Sequence, residues 1–422
     1  MDRLIVEGGQ RLSGEIQVSG AKNAALPILV SSLLSPHTCV LENIPDVVDV
    51  RTMCQLLGVL GATTSWDGPR LLIRTETLKS HEAPYALVST MRASILVLGP
   101  LVARWGEAIV PLPGGCAIGS RPVNLHIDGL RALGAEVRIQ HGNIHVKAKR
   151  LKGARIAMEP SSVTGTENLM MAAVLAEGVT VIENAAREPE VADLAAFLIK
   201  RGARIQGCGT NTITIEGVEA LNDGDHHHRI MADRMEAGTY LIAGAVTQGD
   251  VTVHLPSPDL LDDICTTLHA TGAELSRNHG SVRVTMDRRA SAVDVTTGPC
   301  PGFPTDLQAQ MAALLSLAEG VSLVTETVFE NRLTHVSELR RMGANITTNG
   351  NQARIVGVDK LSGAPVMASD LRGGAALILA SLAAEGETII SRVYHVDRGY
   401  ERIEGNLNTL GANVCRVKSN NA

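Results

Sequence analysis

The sequence predicts an α/β fold in two similar halves, six repeated units of about seventy residues in all. Three observations carry this. The pattern Leu-x-x-x-Gly-Ala occurs at 57–62, 130–135, 198–203, 268–273, 339–344 and 407–412, and its glycines are spaced by 73, 68, 70, 71 and 68 residues. After these glycines come alternating apolar and polar stretches such as EVRIQHGNIHVKA and ELSRNHGSVRVTM, with His-Gly or Asn-Gly at the turn. Finally, LIVEGGQRLSGEIQV near the N-terminus matches RIVGVDKLSGAPV at 354–366.

Each unit opens with an apolar helix closed by a glycine turn, as in ENLMMAAVLAEG, QAQMAALLSLAEG and AALILASLAAEG. A short strand follows (VTVIEN, VSLVTE), then a loop into a second helix, which stops at the glycine of Leu-x-x-x-Gly-Ala. The alternating stretch behind that glycine reads as a β-hairpin. The unit ending at 411–417 lacks its closing strand, and residues 1–20 supply one. The expected division is therefore a domain of residues 1–20 plus 230–422 and an inserted domain of residues 21–229. The run His226–His228 lies near the crossover and reads as an exposed loop.

Composition excludes several classes of function. The chain has 422 residues, a net charge of −6, and only 3 Phe, 4 Tyr and 2 Trp. It lacks the basic groove and aromatic platforms that single-stranded nucleic acid requires. MDRLIVEGGQ has no basic-plus-apolar leader, and the longest apolar span, GGAALILASLAA, falls short of the ~18 residues of a membrane helix. No membrane association and a cytoplasmic location are expected. Seven cysteines are scattered without CxxC spacing, which indicates neither a disulfide framework nor a zinc site. Cys39, Cys54, Cys208, Cys265, Cys300 and Cys415 read as structural.

The chemistry-bearing residues lie in loops that enter helices. Lys22, Arg92, Arg234 and Arg372 occupy matching positions before the first helix of their units; Arg121, Arg187, Arg332 and Arg398 do so before the second. Cations at helix N-termini oppose the macrodipole, so their repetition points either to pairing with neighbours such as Asp233, Glu188 or Asp397 or to a strongly anionic small ligand. In PLPGGCAIGSRPVNLH, Cys116 sits among three glycines near Arg121, surroundings that suit a reactive thiol or a small turn filler. Asp306, in FPTDLQAQM, suits a helix cap or first-turn carboxylate, or a general base.

Taken together these segments resemble the enolpyruvyl transferases. The similarity runs through VSGAKNAALPIL (18–29), TMRAS (90–94), LPGGCAIGSRPVNLH (112–126), VTGTENLMMAA (163–173), ENAAREPEV (183–191), DRMEAGTY (233–240), FPTDLQAQ (303–310), TVFENRLTHV (327–336), DLRGGAAL (370–377) and YHVDRGYERIE (394–404). Within that family the cysteine loop is similar to the branch whose acceptor is UDP-N-acetylglucosamine; the acceptor motifs of the 3-phosphoshikimate branch are absent. A noncatalytic ring of repeated α/β units is the reading from a different class. It calls for cations on helix faces lining a hole, whereas these lie in loops.

The resemblance implies a two-domain inside-out α/β barrel, closure of the two halves over substrate, and no metal or organic cofactor. It implies transfer of the enolpyruvyl group of phosphoenolpyruvate to the sugar 3′-hydroxyl with release of phosphate. By matching position, Lys22, Arg121 and Arg398 correspond to the phosphate grip, and Arg332 and Arg372 to the carboxylate grip. Arg92 belongs to the same basic set, and Asn23 to the substrate contact beside the lysine. Cys116 corresponds to the proton donor, which fosfomycin alkylates, and Asp306 to the acceptor of the hydroxyl proton. Arg121, Pro122, Val123, Asn124, Leu125, Ser162, Val163 and Val328 correspond to UDP-sugar contacts. Asn124, Pro160, Ala232 and Gly405 depart from the family pattern, which has Asp, Lys, Pro and Asp more often at these places.

Overall fold

A computed structural model of the chain describes residues 2–113, 123–222 and 227–418. These form two compact units, one of residues 2–19 and 232–418, the other of residues 20–113, 123–222 and 227–231. Each unit holds three small sheets; five of the six repeat one mixed plan, and the sixth, of Glu107–Pro111, Asn143–Lys147 and Glu136–Gln140, is a three-stranded antiparallel sheet. In one of the five the strands Arg204–Gln206, Thr212–Glu216, Val179–Glu183 and Arg155–Ala157 lie side by side. The outer Arg155–Ala157 strand runs parallel to its neighbour and the other pairs are antiparallel.

The parallel outer strand is an element that the sequence pattern does not reveal, because it is only two to five residues long where it is assigned. In one unit it is the strand His227–Arg229, paired with Cys39–Glu42. This corrects the reading of the histidine run as a loop: His228 is buried, and its Nε2 lies 2.9 Å from Asp193 Oδ1. The edge backbone of Cys39–Glu42 is thereby paired, which outweighs the polarity of the histidines. His226 lies outside the described residues.

The first and last strands of the described residues lie in one sheet. Arg3–Glu7 lies between Glu387–Ser391 and Asn413–Val417, antiparallel to both, with Ile5 opposite Ile389 and Cys415. It takes the place that a hairpin's second strand fills in the other sheets. Ser13–Gln17 then supplies the parallel outer strand beside Asp250–His254.

The first helix of each repeat is interior. Every residue of Arg234–Val246 and of Gln308–Leu315 is buried, as is nearly all of Leu371–Ala383, and these three helices pack on one another. In the other unit Lys22–Ser31, Leu98–Trp105 and Val163–Ala173 hold the corresponding places. A helix that is apolar all round is buried all round, and their Ala-, Leu- and Gly-rich sequences meet that condition. The second helices, such as Val48–Leu60 and Pro189–Lys200, bury one face. The six glycines of the repeat have φ between +86° and +126°, the left-handed geometry that ends a helix and admits few residues besides glycine. Among the described residues, no helix is long and apolar enough to cross a membrane.

Candidate active site

The cations predicted at helix starts do stand there. Lys22 and Arg234 are the first residues of Lys22–Ser31 and Arg234–Val246, Arg372 is the second of Leu371–Ala383, and Arg92 opens the 3₁₀ segment Arg92–Val97. Two of these starts are capped by an aspartate immediately upstream. Asp233 Oδ1 accepts from the backbone N–H groups of Met235 and Glu236, and Asp370 Oδ1 from those of Arg372 and Gly373. The caps offset the unfavourable meeting of cation and helix dipole. Burial opposes the charge of Asp370, yet the Gly373 N–H, Arg332 and the Ser369 hydroxyl hold its pKa below the ordinary value.

In the unit that carries the chain ends, Asp306 is the centre of a cluster. It is a first-turn carboxylate of the 3₁₀ segment Thr305–Leu307, which runs directly into Gln308–Leu315, and not the cap. Arg332 Nη2 donates to its Oδ1 at 2.6 Å and Arg372 Nη2 to its Oδ2 at 2.8 Å. Both arginine side chains are 5% exposed, and that of Asp306 is 26% exposed. Burial works against the charge of Arg372, but Asp306 foremost, with Tyr400 and Asp233, raises its pKa further above its ordinary value. Arg372 Nε is buried and has no hydrogen-bond partner. His335, buried nearby, is pushed down to about 4 by burial and by Arg332, against the pull of Asp370. Arg398 ends the half-buried 3₁₀ segment Val393–Arg398, and Val328 is exposed. Asp397 is bound by Arg416 at 2.7 Å.

In the other unit, Lys22 Nζ donates to Asp49 Oδ2 at 3.0 Å, and both side chains are almost wholly buried. Asn23 beside it is exposed. Ser162 caps Val163–Ala173, accepting from Gly165 N at 3.1 Å. Asn124 and Leu125 open the helix Asn124–Ala132 directly after Val123. One turn on, His126 is buried against Asn168 Nδ2 at 3.0 Å and is pushed down to about 4 by burial and by Arg92. Asn168 Oδ1 accepts from Gly99 N, tying this helix region to Leu98–Trp105. Arg187 is exposed. Cys116, Arg121 and Pro122 lie outside the described residues.

Sequence reasoning missed Asp49, the partner of Lys22, and the polar residues behind Arg372: Tyr400, Thr239 and Gln310. All three lie in the segments that carry the resemblance, as uncharged residues with no signal of their own. Chemically, the Asp306 cluster pairs two fixed cations with one carboxylate. Such a combination can hold an anion beside a group able to accept a proton. Among the described residues, no three His, Cys, Asp or Glu side chains are grouped so as to hold a metal ion.

The chain matches the family model described as EPSP synthase (3-phosphoshikimate 1-carboxyvinyltransferase) over residues 6–407. Its structure is similar to that of the enolpyruvyl transferase NikO from Streptomyces tendae, with a TM-score of 0.89, 24% identity and 99% of each chain covered. It is also similar to EPSP synthase from Acinetobacter baumannii, with a TM-score of 0.77, 17% identity, and 99% of this chain and 100% of that one covered. At these identities the two likenesses are of fold. The family match spans almost the whole chain, and with it this protein belongs to the EPSP synthase family, the enolpyruvyl transferases.

Proposed function

We propose that this enzyme transfers the enolpyruvyl group of phosphoenolpyruvate to the 3′-hydroxyl of UDP-N-acetylglucosamine, releasing phosphate. It would then be a UDP-N-acetylglucosamine 1-carboxyvinyltransferase, acting in the cytoplasm at the first committed step of peptidoglycan precursor synthesis. The observation that carries the transfer chemistry is the carboxylate of Asp306 held between Arg332 and Arg372. The choice of acceptor rests on the sequence of the cysteine loop, LPGGCAIGSRPVNLH.

Adding an alcohol across the enol double bond places a proton on C3 and the acceptor oxygen on C2; elimination then removes the C3 proton and phosphate. An acid, a base and several cations are needed, because the tetrahedral intermediate is multiply anionic. Cys116 is assigned as the acid, and as the thiol alkylated by fosfomycin, and Asp306 as the base. Arg332 and Arg372 are assigned to the substrate carboxylate, and Lys22, Arg121 and Arg398 to its phosphate, with Arg92 in the same basic set. Asn23, Arg121 to Leu125, Ser162, Val163 and Val328 are assigned to contacts with substrate and UDP-sugar.

The second reading is 3-phosphoshikimate as acceptor, which the description of the matched family favours. The test is phosphate release from phosphoenolpyruvate with each acceptor, with and without fosfomycin. Fosfomycin-sensitive release with UDP-N-acetylglucosamine alone supports the proposal. Release with 3-phosphoshikimate alone keeps the chemistry and overturns the acceptor.

A further inference from the structure

Behind Arg372 lies a buried polar chain to which no role has been given. Tyr400 is buried, and its hydroxyl has three neighbours within hydrogen-bond distance: Arg372 Nη1 at 3.1 Å, Thr239 Oγ1 at 2.8 Å and Gln310 Nε2 at 3.3 Å. Its ring also flanks the guanidinium, with 5.5 Å between the guanidinium carbon and the ring centroid. The three helices of the unit's core each place a side chain here, Thr239 from Arg234–Val246, Gln310 from Gln308–Leu315 and Arg372 from Leu371–Ala383.

The directions of these hydrogen bonds follow from counting donors. The Thr239 hydroxyl gives its one proton to Met235 O at 2.7 Å, so toward Tyr400 it accepts. Gln310 presents its amide nitrogen, because the same atom reaches the backbone carbonyl of Asp306 at 3.0 Å and a carbonyl only accepts. Arg372 is always a donor. The phenol proton must therefore point at Thr239, which leaves the lone pairs of the oxygen for Arg372 Nη1 and Gln310. Burial pushes the Tyr400 phenol up, so it keeps its proton in the neutral range. The outcome is a guanidinium held at Nη1 by a neutral acceptor of fixed direction and at Nη2 by Asp306, with Gln310 also tied to the backbone of Asp306.

We propose that Tyr400, oriented by Thr239, is a positioning residue that fixes Arg372 for binding the carboxylate of phosphoenolpyruvate. This rests on the functional reading above for the identity of the anion. It adds that the geometry of Arg372 is set from behind by an uncharged acceptor, so that its charge stays available to Asp306 and the substrate.

The test compares wild type with Tyr400→Phe and Thr239→Val, measuring phosphoenolpyruvate binding by calorimetry and, for the acceptor that wild type turns over, the KM of each substrate. Loss of a hydrogen bond to a charged group predicts binding weaker by about tenfold or more in Tyr400→Phe. Thr239→Val moves the same way by less, and Thr239→Ser restores the wild-type value. The KM of phosphoenolpyruvate rises while that of the acceptor is unchanged, and in an Arg372→Lys background Tyr400→Phe has little further effect. A merely structural role would lower the melting temperature and move both KM values together, and that result overturns the proposal. So does phosphoenolpyruvate affinity unchanged in folded Tyr400→Phe, or in Thr239→Val if Tyr400→Phe does not fold. Failure of wild type to turn over either acceptor overturns the functional reading instead. The calorimetric comparison then still decides the positioning role, and wild type that binds no phosphoenolpyruvate overturns both.

Discussion

Asp306 and Arg372 meet through a single carboxylate oxygen at 2.8 Å, while Arg332 holds the other at 2.6 Å. The two guanidiniums are deeper than the carboxylate that joins them. Removing that carboxylate leaves two like charges buried side by side. Asp306→Ala is expected to lower the free energy of unfolding by about 3 kcal/mol, measured by urea denaturation. Asp306→Asn keeps an oxygen in place and destabilises less, yet lowers turnover by ~10²–10⁴-fold if the carboxylate is the base. Turnover within a few-fold of wild type in Asp306→Asn would remove it from that role.

The Lys22–Asp49 pair is a second buried ion pair, 3.0 Å long, in the other unit. Breaking such a pair from one side costs about 3–5 kcal/mol, whereas replacing both partners costs much less. Asp49→Ala should therefore be more destabilising than Lys22→Met/Asp49→Leu. A loss in the double variant equal to the sum of the losses in Lys22→Met and Asp49→Leu would show that the two side chains are not coupled.

His126 and His335 are each neutral in the fold, pushed down to about 4 from 6.5. Below pH 6.5 the unfolded chain binds the extra proton and the folded chain does not. Their contribution is whole above pH 6.5 and is lost as the pH falls toward 4, a few kcal/mol for each histidine. His335→Gln should flatten the acid loss of stability between pH 6.5 and 4. An identical slope in wild type and variant would contradict this origin.

Glu236 behaves in the opposite sense. Burial, and then Asp233, push it up to about 8, against hydrogen bonds from Ser19 and Tyr240. Its protonated form is favoured by the fold, so the stability it confers is present below pH 4.5 and declines as the pH rises through 8. Glu236→Gln is expected to gain on wild type in urea midpoint from pH 6 to pH 9. A constant difference between the two proteins across that range would count against it.

Much of the fold was legible because helix ends are local chemistry. The six glycines had to be glycines at φ above +80°, and their spacing exposed the repeat. The parallel outer strands were not legible. Segments as short as Val295–Thr296 or Pro365–Met367 carry no periodicity, and their pairing is decided by the neighbouring strand. The same reason explains His227–Arg229, a polar run made a strand by the exposed edge of Cys39–Glu42. At the site, charge made Lys22, Arg332, Arg372 and Asp306 visible one by one. That Asp306 binds both arginines was not visible, since it lies 26 and 66 residues from them in sequence. Tyr400 and Thr239 were hidden for a different reason: uncharged, they gain their meaning only from the guanidinium beside them.

The strand Arg3–Glu7 is made well before both of its partners, Glu387–Ser391 and Asn413–Val417, which lie at the far end of the same unit's sequence. The unit of residues 20–231 can assemble while the rest is still being made. The strand Arg3–Glu7 cannot, and until its partners are made it presents Leu4 and Val6, both wholly buried in the finished sheet, with no sheet to enter. Its own unit can reach full cooperativity only once both partners have emerged, with a very long loop to close.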